Sequence, residues 1–234
     1  MINKRNKGMD LNINDLNIDK VGKDTVIEAN KKLTQKYPWL MPVSTWDGKT
    51  LDSYDYSYTL FDDIPFGWRK AFGVIMIEEI QKCLEEIGTV EKIDAVNSYS
   101  VLQIKEKFGS LRWYSNGDAL ISDTYDISNI ERKYEVISEH VCINCGKLDI
   151  PIVNMKGYVS PYCPDCYYEI IKKLGINNSI TDVVKFYRDI PDSEWIIPEE
   201  YTTTVYSEHG RHKLKYDISE TVAKIRKYNA KFNS

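Results

Sequence analysis

Apolar side chains recur every three to four residues at Phe72, Met76, Ile80, Cys83, Leu84 and Ile87, and this spacing predicts an amphipathic helix with one buried face. Asp62-Asp-Ile-Pro65 supplies a cap and an early proline, and Gly88 marks the expected end. A second stripe, Ile127, Ile130, Tyr134, Ile137 and Val141, predicts a helix running into Cys142. A third, Tyr167, Tyr168, Ile170, Ile171 and Leu174, stops at Gly175. Asp24 is expected to cap a helix reaching about Gln35, broken by Pro38 and Pro42.

Alternation replaces the helical period elsewhere. Val96, Ser98, Ser100, Leu102 and Ile104 would share one face of a strand, with Leu111 to Tyr114 returning after Lys105-Glu-Lys-Phe-Gly109. Tyr54, Tyr56 and Tyr58 suggest a short strand or extended segment, and Trp46-Asp-Gly48 a turn. A hairpin is expected from Ile150 to Pro161 over Asn154-Met-Lys-Gly157. Another joins Tyr201–Ser207 to Lys213–Tyr216. Asp217 and Glu220 read as a capping box for a closing helix with Ile218, Val222, Ile225 and Phe232 on one face, interrupted at Asn229.

The fold class that follows is α+β. Residues 1–23 form a polar, flexible arm and 24–120 an α/β portion containing the hairpin 96–114. Residues 121–175 form a metal module and 176–234 a C-terminal hairpin plus helix.

Cysteine spacing changes the picture most. Cys142-Ile-Asn-Cys145 and Cys163-Pro-Asp-Cys166 are separated by 17 residues, the spacing of a four-cysteine zinc site. A knuckle, a hairpin and a helix opening on the second pair describe a central treble-clef-like module holding one structural Zn²⁺. Disulfides would need an oxidising compartment, five cysteines is an odd number, and the opening residues lack the apolar core of a secretory signal. Cys83, on the apolar stripe, reads as a core residue.

With 31 basic and 35 acidic residues, the chain has a formal charge of −4, against a wholesale nucleic-acid binder. The charge is uneven. Residues 201–234 carry seven Lys/Arg and three Asp/Glu, net +4, leaving −8 on the remainder. The longest apolar stretch, Val74-Ile-Met-Ile77, is too short to span a bilayer, so no membrane role is expected.

Several blocks resemble a family of uncharacterised proteins carried by phages and prophages of bacteria. They are Tyr37-Pro-Trp-Leu40, Tyr54-Asp-Tyr56, Asp63-Ile-Pro-Phe-Gly-Trp68 and Gln103-Ile-Lys-Glu-Lys-Phe-Gly-Ser-Leu-Arg-Trp-Tyr114, followed by Glu135-x-x-Ser138, both cysteine pairs and Gly157-Tyr158. Ser110 stands where that family usually has a second glycine. The resemblance covers Tyr37 to about Leu174. It implies zinc and a phage setting, hence the cytoplasm of a bacterial host cell, and no particular activity.

Candidate binding residues are Lys105, Lys107, Phe108, Arg112 and Trp113 on the hairpin, where cations and rings alternate as in single-strand nucleic-acid sites. Lys224, Lys227 and Lys231 form a basic stripe on the last helix. His209 and His212 read as a polar hairpin tip or half of a second metal site, and His140 as a neighbour of the cysteines. No P-loop, nucleophile elbow or H-E-x-x-H motif occurs, and the segment between the cysteine pairs has no histidine, which argues against zinc-clipped nucleases. The leading expectation is a zinc-stabilised, non-enzymatic binding protein that engages a host protein or complex, as an inhibitor of a nuclease or defence system. The alternative is a nucleic-acid binder using the hairpin from Lys105 to Tyr114 and the basic C-terminal helix.

Overall fold

The computed structural model describes residues 22–44, 53–120, 126–155, 158–176, 196–207 and 210–231. The expected Trp46–Gly48 turn, the arm up to residue 21, His209 and Phe232 lie outside them. The described residues mix helices with three two-stranded antiparallel sheets.

Helix α1 (Lys23–Lys36) begins one residue before Asp24, which lies in its first turn. Val26, Ala29 and Leu33 face the core, and Trp39 and Leu40 follow in a 3₁₀ turn opened by Pro38. The three tyrosines after it form no strand. Tyr56 takes a positive φ of 61°, Asn30 Nδ2 donates to its carbonyl, and the Tyr54 hydroxyl folds back onto the Tyr58 carbonyl.

The long helical segment starts in three stages. Thr59 and Asp62 cap a 3₁₀ turn, Leu60–Asp63, reciprocally. Helix α2 (Phe66–Trp68) passes through a π-turn (Arg69–Gly73) into α3 (Val74–Glu91). Gly88 does not end it. A Cβ there would lie 3.0 Å from the Ile93 carbonyl, so this glycine gives the returning chain room, and Lys92 makes the left-handed exit at φ 56°.

The expected strand from Val96 also shifts. Asp94 accepts from the Asn97 amide and caps a helical turn, α4 (Ala95–Ser98), so β1 covers only Val101–Lys107, paired with β2 (Ser110–Ser115). A bulge between Val101 and Gln103 resets the alternation, burying Val101 and Ile104 and turning Leu102 to water. Phe108 and Gly109, both with positive φ, make a two-residue mirror-type turn that matches strand twist. Ser110 lies after the turn, as the first residue of β2.

Helix α5 (Ile127–Ser138), capped by Asp126, covers the expected stripe up to Ile137 but ends before Val141, which is in a β-bridge with Leu148 ahead of the first cysteine pair. Strands β3 (Val153–Met155) and β4 (Tyr158–Tyr162) precede α6 (Pro164–Lys173), after which Gly175 takes φ +72°. Strands β5 (Glu200–Ser207) and β6 (Gly210–Asp217) lead to α7 (Ser219–Ala230). Asp217 accepts from the Ser219 amide at 2.8 Å, and Ile218 occupies the cap position, so Asp217 and Glu220 form no capping box.

One apolar cluster runs from Leu33 to Ile225, centred on Trp68, Phe72, Met76, Ile77, Ile80 and Leu84, and includes Ile218, Val222 and Ile225 of the C-terminal segment. Asn229 falls where α7 would present another apolar residue. Its Nδ2 donates to the Ala71 carbonyl in the π-turn (2.9 Å) and to the Ile225 carbonyl (2.8 Å). The wider turn exposes a carbonyl, and the asparagine answers it. Asn229→Leu would complete the apolar stripe but leave that carbonyl without its donor. It is expected to destabilise the protein by about 1–3 kcal/mol. A raised melting temperature in thermal unfolding would contradict this.

Candidate metal centre

The Cys142–Cys145 loop is folded by its own backbone. The Cys142 amide donates to the Lys147 carbonyl and the Gly146 amide to the Cys142 carbonyl, both at 2.9 Å, while Gly146 turns the chain at φ +78°. Val141 and Leu148 close the loop as an isolated bridge. The Ile143 amide donates to the Pro161 carbonyl, tying the loop to β4 just before Cys163. Cys163 then occupies the N-cap position of α6 with Pro164 as the first helical residue, which places Cys166 in the first turn.

These constraints bring the Sγ atoms of Cys142, Cys145, Cys163 and Cys166 within 4.8 Å of one another. All four are free thiols, three of them buried and Cys145 half-buried. Cys145 and Cys163 Sγ are 3.6 Å apart. A tetrahedron with metal–sulfur bonds of about 2.3 Å has edges of about 3.8 Å, so the donor set fits a divalent ion. Asn144 Nδ2 also points at Cys166 Sγ (3.2 Å), a donor that favours thiolate. Among the described residues this is the one group of three or more Cys, His, Asp or Glu side chains close enough to share an ion.

Without a cation the cluster cannot hold four negative charges. Hydrogen bonds from Cys145 and Cys163 hold Cys142 far below the ordinary thiol range, and the same bonds push Cys145 up to about 12 and Cys163 further up, with burial adding to both. Metal binding must therefore release protons, and affinity must rise with pH.

The loop is seated on the start of the long helical segment. The Gly67 amide donates to the Ile143 carbonyl (2.9 Å), and Trp68 Nε1 donates to the Val141 carbonyl (2.9 Å) in a fully buried contact. A Cβ on Gly67 would lie 2.2 Å from the Cys142 carbonyl oxygen, and one on Gly146 would lie 2.6 Å from the Gly67 oxygen. Backbone meets backbone here, which only glycine permits. The pairing of Gly67 with Trp68 was visible in the sequence, but nothing there named its partner.

The other candidate residues separate. Lys105 Nζ donates to Gln103 Oε1 (2.6 Å) and lies 5.1 Å from the Tyr114 ring centre. Lys107 Nζ lies 5.4 Å from the ring of Phe108, which is 72% exposed at the turn. Arg112 pairs with Glu135 at 3.1 Å. Trp113 is a correction. Opposite Ile104 on the inner face, it is 6% exposed, and its Nε1 donates to the Tyr99 hydroxyl, so it belongs to the core and not to a stacking platform. Lys224 and Lys227 lie exposed on α7, and Lys231, also exposed, is the residue that ends it. His140 is half-buried, and His212 sits on β6 opposite Val205. Cys83 is a core residue as expected, its thiol pushed up to about 11 chiefly by burial.

Sequence reading missed Glu131. Its Oε1 accepts from Ser115 Oγ (2.6 Å) and the Tyr99 hydroxyl (2.8 Å), joining α5, β2 and the approach to β1. Burial pushes its carboxyl up to about 7, with Asp118 and Glu135 adding to the rise and the two hydroxyls opposing it. A lone polar residue in a helix stripe gives no sign of this.

Comparisons of the chain with protein-family models, curated proteins and solved structures found no match. No helix among the described residues is long and apolar enough to cross a membrane.

Gly67→Ala is expected to lower stability by about 3 kcal/mol or more, a loss of roughly 6 °C or more in melting temperature for a chain of this size. Phe66→Ala, at a half-exposed neighbour, should change it little. Equal effects of the two would contradict the seating of the loop. For Glu131 the raised pKa favours the neutral carboxyl in the fold. That contribution is full below about pH 4.5 and is lost as pH rises through about 7. Glu131→Gln should therefore gain up to about 3 kcal/mol relative to wild type between pH 4.5 and pH 8 in urea unfolding. A pH-independent difference would refute the assignment.

Proposed function

We propose that the ion is a single structural Zn²⁺ and that the protein is a non-enzymatic binding protein of phage origin acting on a host protein. Four cysteine donors fill a tetrahedron and leave no position for water or substrate, so the metal stabilises and does not catalyse. The order of knuckle, hairpin and helix supports a treble-clef-like module.

The observation that carries the binding role is the β1–β2 hairpin. Its tight turn holds Phe108 72% exposed, and Leu102 and Tyr114 are 51% and 42% exposed. Large side chains kept in water on a rigid hairpin, rooted by buried Ile104, Leu111 and Trp113, suit a protein partner, whose interfaces favour aromatic anchors. The nucleic-acid reading of this hairpin is weaker, because Trp113 is buried and Arg112 is paired with Glu135. The phage setting rests on the sequence blocks described above. It makes a host nuclease or defence protein the partner class to test, in the bacterial cytoplasm.

Elemental analysis of the purified protein should find about one zinc per chain, and Cys145→Ser should unfold residues 131–175. No zinc, with all five thiols titrating freely, would contradict the metal assignment. In affinity capture from bacterial lysate, a protein should co-purify with wild type and survive nuclease treatment. Phe108→Ala with Tyr114→Ala should reduce its recovery at least tenfold. Unchanged recovery by that variant, or loss on nuclease treatment, would contradict the hairpin reading.

A further inference from the structure

The β5–β6 ribbon presents a second, chemically different surface. At its base Tyr201 and Tyr216 stack at 5.2 Å, the Tyr201 hydroxyl donates to the Asn129 carbonyl (3.2 Å), and the Ile218 amide donates to the Glu199 carbonyl (2.7 Å). Beyond that base the two strands pack mainly against each other. Each strand has eight residues, so the ribbon extends about 27 Å.

Register sorts its faces. Thr202 pairs with Lys215 and Thr204 with Lys213, and Arg211 is two residues further along the same face of β6. Arg211, Lys213, Lys215 and Thr202 are exposed. Residues two apart on a strand are about 6.8 Å apart, so the three cations form a row of about 14 Å. The acids described on this face, Glu200 and Asp217, are at the base, where Glu200 pairs with Lys215 at 2.5 Å. Both partners are more than half exposed, and such a pair is worth about 1 kcal/mol or less, so Lys215 can exchange it for a stronger anion.

From this geometry we infer that the Thr202–Thr204–Arg211–Lys213–Lys215 face of the ribbon docks on the backbone of duplex DNA. Hydroxyls alternating with cations are the groups that contact phosphate, and a two-stranded ribbon has the width that the major groove of B-form DNA admits. Tyr206 is opposite Arg211 at the outer end of the same face, and the row of three cations beside it favours phosphate over the apolar surface of a protein partner. The site lies on a chain of net charge −4, so the contact is local and suits a protein that meets its partner on DNA.

The test is fluorescence anisotropy of the full zinc-loaded chain with a labelled DNA duplex of about 30 base pairs at 50–200 mM salt. Wild type should bind with a salt dependence that Arg211→Gln, Lys213→Gln and Lys215→Gln together reduce, by up to about 2.7 in log–log slope for three phosphate contacts. Affinity at 50 mM salt should fall at least tenfold. Lys32→Gln, Lys82→Gln and Lys173→Gln together, an equal charge change elsewhere, should leave binding within twofold. An RNA duplex should bind at least tenfold more weakly, because the A-form major groove is too deep and narrow for the ribbon. The inference is overturned by absent salt-dependent binding, by equal losses in the two triple variants, by RNA binding as tight as DNA, or by polyglutamate competing as well as DNA. That last outcome would mark an acidic protein as the occupant. None of these results depends on the hairpin at Phe108.

Discussion

The contact on which the rest of this structure depends is the meeting of two backbones, at Gly67 and at the Cys142–Gly146 loop. The loop is shaped by the left-handed turn at Gly146, and it brings four sulfur atoms close enough to share one cation. It is held in place because Gly67 has no side chain to keep it away and because Trp68 reaches its Val141 carbonyl. A metal ion held there would transmit its binding energy to the start of the helical segment that fills the core. The same segment contains the π-turn whose Ala71 carbonyl receives Asn229 of the last helix. Metal loop, central helix and C-terminal helix are thus joined by these glycine, tryptophan and asparagine contacts within one apolar cluster that includes Val141, Val222 and Ile225.

Charge follows the same division of labour. Partly buried ionic groups fix elements to one another. Lys133 bonds Glu79 and Thr221, Tyr134 bonds Glu79, and Arg226 grips Asp149 through two hydrogen bonds at 2.6 and 2.9 Å. Exposed cations also occur on α1, α3 and α6, and those on the β1–β2 turn and the β5–β6 ribbon flank the two surfaces described above. The first surface is led by the exposed ring of Phe108 and the second by a row of three cations, which is why the two are assigned different partners.

Much of this was legible in the sequence. Helical stripes were read correctly where burial alone set the pattern, as at Ile127 to Ile137 and Ile218 to Ile225. The cysteine spacing located the metal centre because ligand geometry is local. Reading failed where a long-range contact overrode local preference. Gly88 looked like a helix end but serves the chain returning past Ile93. Val96 and Ser98 alternate like a strand, but the Asp94 cap makes them helical, and the bulge after Val101 turns Leu102 outward. Trp113 sat among cations in the chain, yet the register turned it inward. Glu131 and Asn229 were invisible as functional contacts because their partners are distant in sequence.

The central claim is that the metal loop is structural and is coupled to the core through Gly67. Hydrogen–deuterium exchange of the protein with the proposed zinc ion bound, before and after chelation, tests it most directly. The account predicts that chelation strips protection from the amides of Cys142, Ile143 and Gly146, and also from Gly67, while α3 from Ile77 to Leu84 stays protected. Unchanged exchange at Gly67 with the loop amides deprotected would show that the metal stabilises only its own loop, and unchanged exchange throughout would contradict the account altogether.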